Sequence, residues 1–150
     1  HARKLGRWCN LQTRMVCGWH RDCGYDYGRE VNATQKMLDK ALENLEANYS
    51  TIMIAEEWDL SIQLLEATHP TYFEGLTEAN SKVEPPYCKT FMGEQVCPKN
   101  ANPKTTAPIH KAHRDMLKDH CWADTILYEK AKEIFYKKAE KCGLKADAPK

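Results

Sequence analysis

The chain has 150 residues, of which 42% are hydrophobic and 29% are charged. This length fits one domain or part of one, because most domains have about 100–200 residues. The 22 Lys and Arg residues almost balance the 21 Asp and Glu residues. The balance argues against nucleic acid as a partner, which needs a basic excess, and against an acidic disordered tail. No apolar run approaches the ~18 residues of a membrane-spanning helix.

The amino-terminal part of the chain shows no regular periodicity. Residues 1–7 (HARKLGR) resemble the middle of a protein rather than its start, which predicts a truncation before His1. Gly, Cys and aromatic residues crowd residues 17–28. Residues 1–31 are therefore predicted to form an irregular surface loop.

The cysteines bear on the cellular compartment. Their number is seven, so at least one thiol is free, pairs with another chain, or lacks a partner that truncation removed. Two pairs are close in sequence, Cys17 with Cys23 and Cys88 with Cys97, and a bridge within either pair would close a short loop. Zinc is the competing interpretation, but no C-x-x-C motif is present. The pairing stays open for Cys9, Cys121 and Cys142.

Two sequons for N-glycosylation begin at Asn32 and Asn48. Together with the clustered cysteines they favour the lumen of the secretory pathway over the cytosol.

The centre of the chain is predicted to be helix, strand, helix. Residues 33–48 repeat apolar side chains at helical spacing, and Asn32 with Gln35 resembles a capping box. Residues 50–55 (STIMIA) form a short apolar run, typical of a strand buried on both faces of a parallel sheet. A second helix runs from Trp58 to Thr68 and ends before Pro70. This order predicts an α/β layer structure.

The carboxy-terminal part divides into a loop and a helical region. Residues 70–107 are rich in Pro and Gly and are predicted to be a long loop. Residues 108–142 are predicted to be helical, with Pro108 in the first turn and Asp119 capping a second helix that ends at Gly143. One face of that helix carries Leu127, Ala131, Ile134, Phe135 and Lys138.

Residues 100–106 (NANPKTT) are the first candidate site. A lysine with two hydroxyls before a helix start suits a phosphate, and the competing interpretation is a solvated Pro-rich linker. Glu56 and Glu57 follow the predicted strand, where α/β proteins bind ligands. The alternative is that these acidic residues favour a helix dipole.

Histidines supply weaker candidates. His20 lies between Cys17 and Cys23, either as a base or simply exposed. A second group of residues near the start of the carboxy-terminal helical region could suggest a metal site: His110, His113, His120 and Cys121. This interpretation is the least favoured, because no acidic ligand lies near them in the sequence.

Several short segments, read in order and with their spacing, resemble one protein family over roughly residues 8–142. They are residues 10–18 (NLQTRMVCG), Cys23, residues 41–45 (ALENL), 49–57 (YSTIMIAEE), 64–75 (LLEATHPTYFEG), 103–106 (PKTT) and 127–131 (LYEKA).

This pattern resembles the carboxy-terminal half of the Golgi carbohydrate sulfotransferases, most closely the heparan sulfate and uronyl 2-O-sulfotransferases. The resemblance implies part of a single α/β domain, a parallel sheet flanked by helices and related to nucleotide kinases. It implies transfer of a sulfuryl group from 3′-phosphoadenosine-5′-phosphosulfate to a sugar hydroxyl of a glycan, without a metal. It also implies a type II Golgi membrane protein whose anchor lies upstream, and relatives of this kind are often homo-oligomers.

The resemblance also assigns residues. It implies a disulfide between Cys17 and Cys23, and it places Lys104, Thr105 and Thr106, with Asn100 nearby, against the donor's nucleotide phosphate. The family's main donor loop and catalytic base would precede His1, so the chain is predicted to be inactive alone. Pro103 stands where close relatives are usually basic, and residues 84–99 resemble an insertion. The acceptor therefore stays open between a uronyl residue and another sugar such as galactose.

A different class of protein also fits the residues. A small secreted, disulfide-stapled helical binding module would explain the cysteines, the sequons and the balanced charge. It would not explain a buried strand, because one short strand cannot form a parallel sheet by itself.

Overall fold

The computed structural model describes residues 9–23, 32–82, 89–91, 94–96 and 111–145. In chain order the helices and strands of these ranges are α1 (Leu11–Cys17), a 3-10 helix (Arg21–Cys23), α2 (Gln35–Asn48), a 3-10 helix (Ala55–Glu57), α3 (Trp58–Thr68), α4 (Pro70–Phe73), α5 (Leu76–Ser81), β1 (Lys89–Phe91), β2 (Glu94–Val96), α6 (Lys111–His120) and α7 (Trp122–Lys141).

The predicted parallel sheet is wrong for the described residues. Their two strands, β1 and β2, form an antiparallel pair in which Lys89 faces Val96. Residues 51–54 have no strand partner within the part of the chain that the structure describes, and Ala55–Glu57 forms a 3-10 helix. The described fold is therefore helical, with one small hairpin, and not α/β. The physical reason is that an apolar run becomes a strand only where a neighbouring strand satisfies its backbone groups.

Helix α2 forms where the apolar spacing predicts it. Met37, Leu38, Ala41 and Leu45 are its buried residues. The predicted capping box at Asn32 is wrong, because Thr34 is the N-cap and its hydroxyl accepts a hydrogen bond from the Met37 amide at 3.2 Å.

Helix α7 ends where the sequence predicts, but it does not begin there. Gly143 has φ 72°, its amide donates to Glu140, and the Leu144 amide donates to Ala139. These are the two bonds of a Schellman motif, which needs the left-handed conformation that glycine adopts readily. Asp119 is not the cap, since α6 continues through His120 and Cys121 precedes α7.

Two predictions of irregular structure are also wrong. Residues 1–31 include helix α1, whose Thr13 and Cys17 are buried rather than at the surface. Residues 70–107 include helices α4 and α5. In contrast, α3 does end at Thr68 before Pro70, as predicted. Pro108 lies outside the described residues.

The core consists of two clusters joined by α7. The first packs α1, α2 and the start of α7 around the Cys17–Cys23 disulfide. The second packs Ile54 and α3 against the end of α7, around the fully buried Phe135. Residues 51–54 therefore cross from one cluster to the other, with Ile52 packed against both.

Candidate functional site

A groove of about 480 Å³ lies where the two clusters meet. Its walls come from α1, α2, α7 and residues 52–56, and they are mostly apolar. The volume is within the ~300–1,000 Å³ that ligand sites usually have. The wall residues outside the 52–56 segment are Gln12, Met15, Val16, Leu45, Leu127, Tyr128 and Ala131.

The α1 wall is fixed to α7 by contacts between residues far apart in sequence. A disulfide joins Cys9 to Cys121. Next to it, the Asn10 carboxamide oxygen accepts hydrogen bonds from the amides of Ala123 at 3.0 Å and Asp124 at 3.2 Å. Asn10 therefore caps α7 from a distant part of the chain, a role in which its left-handed backbone (φ 59°) is tolerated.

Asp124 completes this attachment. One of its carboxylate oxygens accepts from both the amide and the hydroxyl of Thr13, at 2.7 Å each. Asp124 also lies in the first turn of α7, where a negative charge is favoured by the helix dipole. No local sequence signal marks Asn10, Thr13 and Asp124 as a unit, and sequence reasoning missed them.

Residues 51–54 are held at both ends. The Ser61 hydroxyl accepts from the Ile54 amide at 2.9 Å and donates to the Ile54 carbonyl at 3.0 Å, in a buried position. At the other end, the Thr51 hydroxyl lies 2.9 Å from that of Thr68 and 3.0 Å from Nε2 of His69. The backbone at Ile54 is extended, with φ −111° and ψ 121°.

Glu56 and Glu57 lie at one end of the groove segment, each beside a tyrosine of α7. The Tyr136 hydroxyl donates to Glu57 at 2.8 Å, and this bond, with burial second, raises the pKa of Tyr136. Burial and a hydrogen bond to Glu56 raise the pKa of Tyr128. Both phenols are therefore neutral donors at physiological pH, which keeps the two carboxylates in place.

The structure brings few of the predicted site residues together. Glu56 and Glu57 follow an extended segment but not a sheet strand. Cys121 is bound to Cys9, so it is no metal ligand, and the described residues contain no group of three or more candidate metal ligands. His20 is exposed, with Nδ1 3.5 Å from Asp22.

The predicted Cys17–Cys23 disulfide is present and buried. Asn32 and Asn48 are both exposed, and Asn48 donates to the Asn44 side chain at 3.3 Å. Cys142 is exposed and lacks a disulfide partner among the described residues.

Other predicted sites fall outside the described residues. These are the donor-phosphate residues Asn100, Lys104, Thr105 and Thr106, the Cys88 and Cys97 pair, and His110. Among the helices that the structure does describe, none is both long and apolar enough to cross a bilayer.

Comparison with protein-family models, with curated proteins and with solved structures finds no match to this chain.

Proposed function

We propose that this chain is a disulfide-stapled helical module of the secretory pathway that acts by binding a partner in the groove between its two core clusters. The groove is the observation that carries the proposal. An apolar concave surface bounded by elements with disulfide and hydrogen-bond anchors suits a preformed binding site.

The groove's exposed side chains support binding. Met15 is 71% exposed and Met53 is 39% exposed, and both lie on the groove's walls. Exposed apolar side chains that converge on one concavity are typical of interaction surfaces. Methionine is especially suited, because its flexible, polarisable side chain adapts to different partners.

The cysteines and the sequons support the proposed compartment. The described residues contain two disulfides, Cys9–Cys121 and Cys17–Cys23, and disulfides persist mainly in oxidising compartments. The exposed side chains of Asn32 and Asn48 are accessible to a glycan.

Selection of random ten-residue peptides displayed on phage tests the proposal. The wild-type chain is the bait, and Ala55→Trp, which places an indole in the groove, is the counter-selection bait. Ala67→Trp puts the same side chain at an exposed position outside the groove and is the matched control. We expect peptides that bind the wild type and Ala67→Trp but not Ala55→Trp. Failure to enrich any such peptide would contradict the proposed function.

Carbohydrate sulfotransferase activity is the second candidate. The specific observation in its favour is the Cys17–Cys23 disulfide, which the resemblance implies and the structure contains. In this proposal the chain supplies scaffold and a loop with Asn100 and residues 104–106 that contacts 3′-phosphoadenosine-5′-phosphosulfate, and a glycan is the acceptor. Sulfuryl transfer would need a base for the acceptor hydroxyl and cations for the leaving phosphate.

Calorimetric titration with adenosine 3′,5′-bisphosphate tests this second candidate on the protein expressed from its complete reading frame. Replacing Thr105 and Thr106 by Ala should lower the affinity at least about 100-fold, because each hydrogen bond to a charged group contributes about 1.5–3 kcal/mol. Thr71→Ala, at an exposed helical threonine, is the control. Equal affinity of all three proteins would remove this loop from the donor site.

A further inference from the structure

Two methionines on different elements line the groove and are exposed to solvent. Met15 belongs to α1 and is 71% exposed, and Met53 belongs to the 52–56 segment and is 39% exposed. Helix α1 packs in the first core cluster, whereas Ile54, next to Met53, packs in the second. The two side chains therefore reach one concavity from different clusters, and small molecules in solution can reach both.

The other methionines of the chain differ in burial or in position. Met37 of α2 is 1% exposed and lies in the first core cluster. Met116 of α6 is 38% exposed but is not among the residues that line the groove. Met92 lies outside the described residues. Exposure therefore separates Met15 and Met53 from the core methionine, and position separates them from Met116.

The methionine thioether is chemically distinct from the other apolar groups of the walls, because a hydroperoxide oxidises it to a sulfoxide. The O–O bond of hydrogen peroxide breaks, one oxygen atom bonds to sulfur, and the other leaves as water. Sulfur loses the electron pair that peroxide gains. The product is polar, so oxidation of Met15 and Met53 places polar groups on a mostly apolar surface.

The wall around Met53 offers little compensation for a sulfoxide. Glu56 lines the same groove three positions further along the chain, and its carboxylate only accepts hydrogen bonds. Tyr128, also on the wall, is hydrogen-bonded to Glu56. A ligand that covers the groove after oxidation therefore buries the Met53 sulfoxide on the same wall as an acceptor, which is unfavourable.

We propose that Met15 and Met53 are oxidation sites that control the groove, and that their conversion to sulfoxides by a hydroperoxide abolishes binding there. This inference rests on the binding function proposed above and adds how that function is regulated. Unoxidised methionine suits an adaptable apolar contact, and its sulfoxide disrupts one.

Mass spectrometry after brief treatment of the native protein with hydrogen peroxide tests the selectivity. We expect Met15 and Met53 to oxidise at least about tenfold faster than Met37, because peroxide must reach the sulfur. Met116 should oxidise at a rate close to that of Met53, since the two are equally exposed. Oxidation of Met37 as fast as Met15 would overturn the proposed selectivity.

Binding of the uncharged dye Nile red, whose fluorescence rises in apolar surroundings, tests the effect on the groove. Ala55→Trp, which fills the groove, should bind the dye more weakly than the wild type and so locates the dye. We expect oxidation of the wild type to weaken dye binding at least about tenfold, because an uncompensated polar group is costly to bury.

Two double variants assign the effect to particular methionines. Replacing Met15 and Met53 by Leu keeps apolar side chains of similar volume, so dye binding should stay within about twofold of the wild type and should no longer respond to peroxide. Replacing Met92 and Met116 by Leu should leave the response to peroxide intact. Both double variants retain the exposed Cys142, so any effect of its oxidation is common to them.

The outcomes distinguish this inference from the proposed function. Dye that binds Ala55→Trp as well as the wild type would overturn the inference, and the peptide selection would still test the proposed function by itself. Dye binding in the groove that survives oxidation of Met15 and Met53 would overturn the inference and leave the proposed function standing. A response to peroxide that persists without these two methionines would also overturn it. If that double variant does not fold, Met15→Leu and Met53→Leu decide singly, and each should show a weaker response than the wild type.

Discussion

The two core clusters are stabilised in different ways. The first, formed by α1, α2 and the start of α7, contains one disulfide and adjoins another, Cys9–Cys121, which spans 112 residues. The second, formed by Ile54, α3 and the end of α7, contains no disulfide among the described residues and depends on buried side chains and hydrogen bonds. The comparison teaches that one wall of the groove is anchored by a disulfide and the other by buried side chains and hydrogen bonds.

The largest expected effect is the loss of the long-range disulfide. Replacing Cys9 and Cys121 by Ser should lower the free energy of unfolding by about 5 kcal/mol, because the bridge closes a loop of more than 100 residues in the unfolded chain. Replacing Cys17 and Cys23 by Ser should lower the free energy of unfolding by only about 2 kcal/mol, because these cysteines are 6 residues apart and their bridge closes a much shorter loop.

Urea unfolding followed by circular dichroism measures both changes, with Cys142→Ser as the control at an exposed cysteine that has no disulfide partner among the described residues. If the two double variants lost equal stability, loop closure would not explain the anchoring of the first cluster.

The second cluster should respond most to Phe135, which is fully buried in it. Phe135→Ala should lower the free energy of unfolding by about 3–5 kcal/mol, as large-to-small core substitutions do. Ile126→Ala on the same helix is the control, since Ile126 is 45% exposed and its truncation should change stability by about 0.5 kcal/mol or less. Amide hydrogen exchange should show that Phe135→Ala loosens α3 before α1. Equal loosening of both helices would mean that the clusters unfold as one unit.

Replacing Ser61 should have a smaller effect on stability, localised to the groove segment around Ile54. Ser61→Ala leaves the buried Ile54 amide and carbonyl without their partner and should cost about 1–3 kcal/mol. The Ile54 amide should also exchange faster with solvent. Ser81→Ala removes an exposed hydroxyl that donates to the Glu78 carbonyl and serves as the control. An unchanged Ile54 exchange rate would show that Ser61 does not hold the segment.

The smallest expected effect is a pH dependence of the hydrogen bonds that join Glu66 of α3 to the start of α5. Glu66 accepts hydrogen bonds from the amides of Gly75 at 2.7 Å and Thr77 at 2.9 Å, and bonds from Thr77 and then Gly75 lower its pKa from the usual 4.5. Because the pKa of Glu66 is lower in the folded state than in the unfolded state, its carboxylate stabilises the fold above the unfolded pKa. This stabilisation is lost as the pH falls through the folded pKa.

The Gly75 and Thr77 amides should therefore lose exchange protection on acidification from about pH 6 to about pH 3. Glu66→Gln should reduce that protection at neutral pH and remove its acid dependence, whereas Glu74→Gln, at an exposed position in the same connection, should do neither. Acid dependence that persists in Glu66→Gln would assign it to another group.

Local pattern was sufficient for much of the helical structure. Three features depend only on side chains within about four positions of one another. They are the apolar spacing of α2 and α3, the end of α3 before Pro70, and the end of α7 at Gly143. The Cys17–Cys23 bridge was expected from the family resemblance. The error at residues 50–55 has a related cause, because local pattern reports that a segment is apolar but not whether another strand lies beside it.

The amino-acid sequence by itself determined where these helices form and which faces they bury, because helix formation and amphipathicity are short-range properties. Only the tertiary structure decided that Cys9 bonds to Cys121, that Asn10 caps α7, and that residues 52–56 line a groove between the two clusters. The physical reason is distance along the chain. Partners more than 100 residues apart leave no local periodicity, and they meet only once the core has brought their helices together.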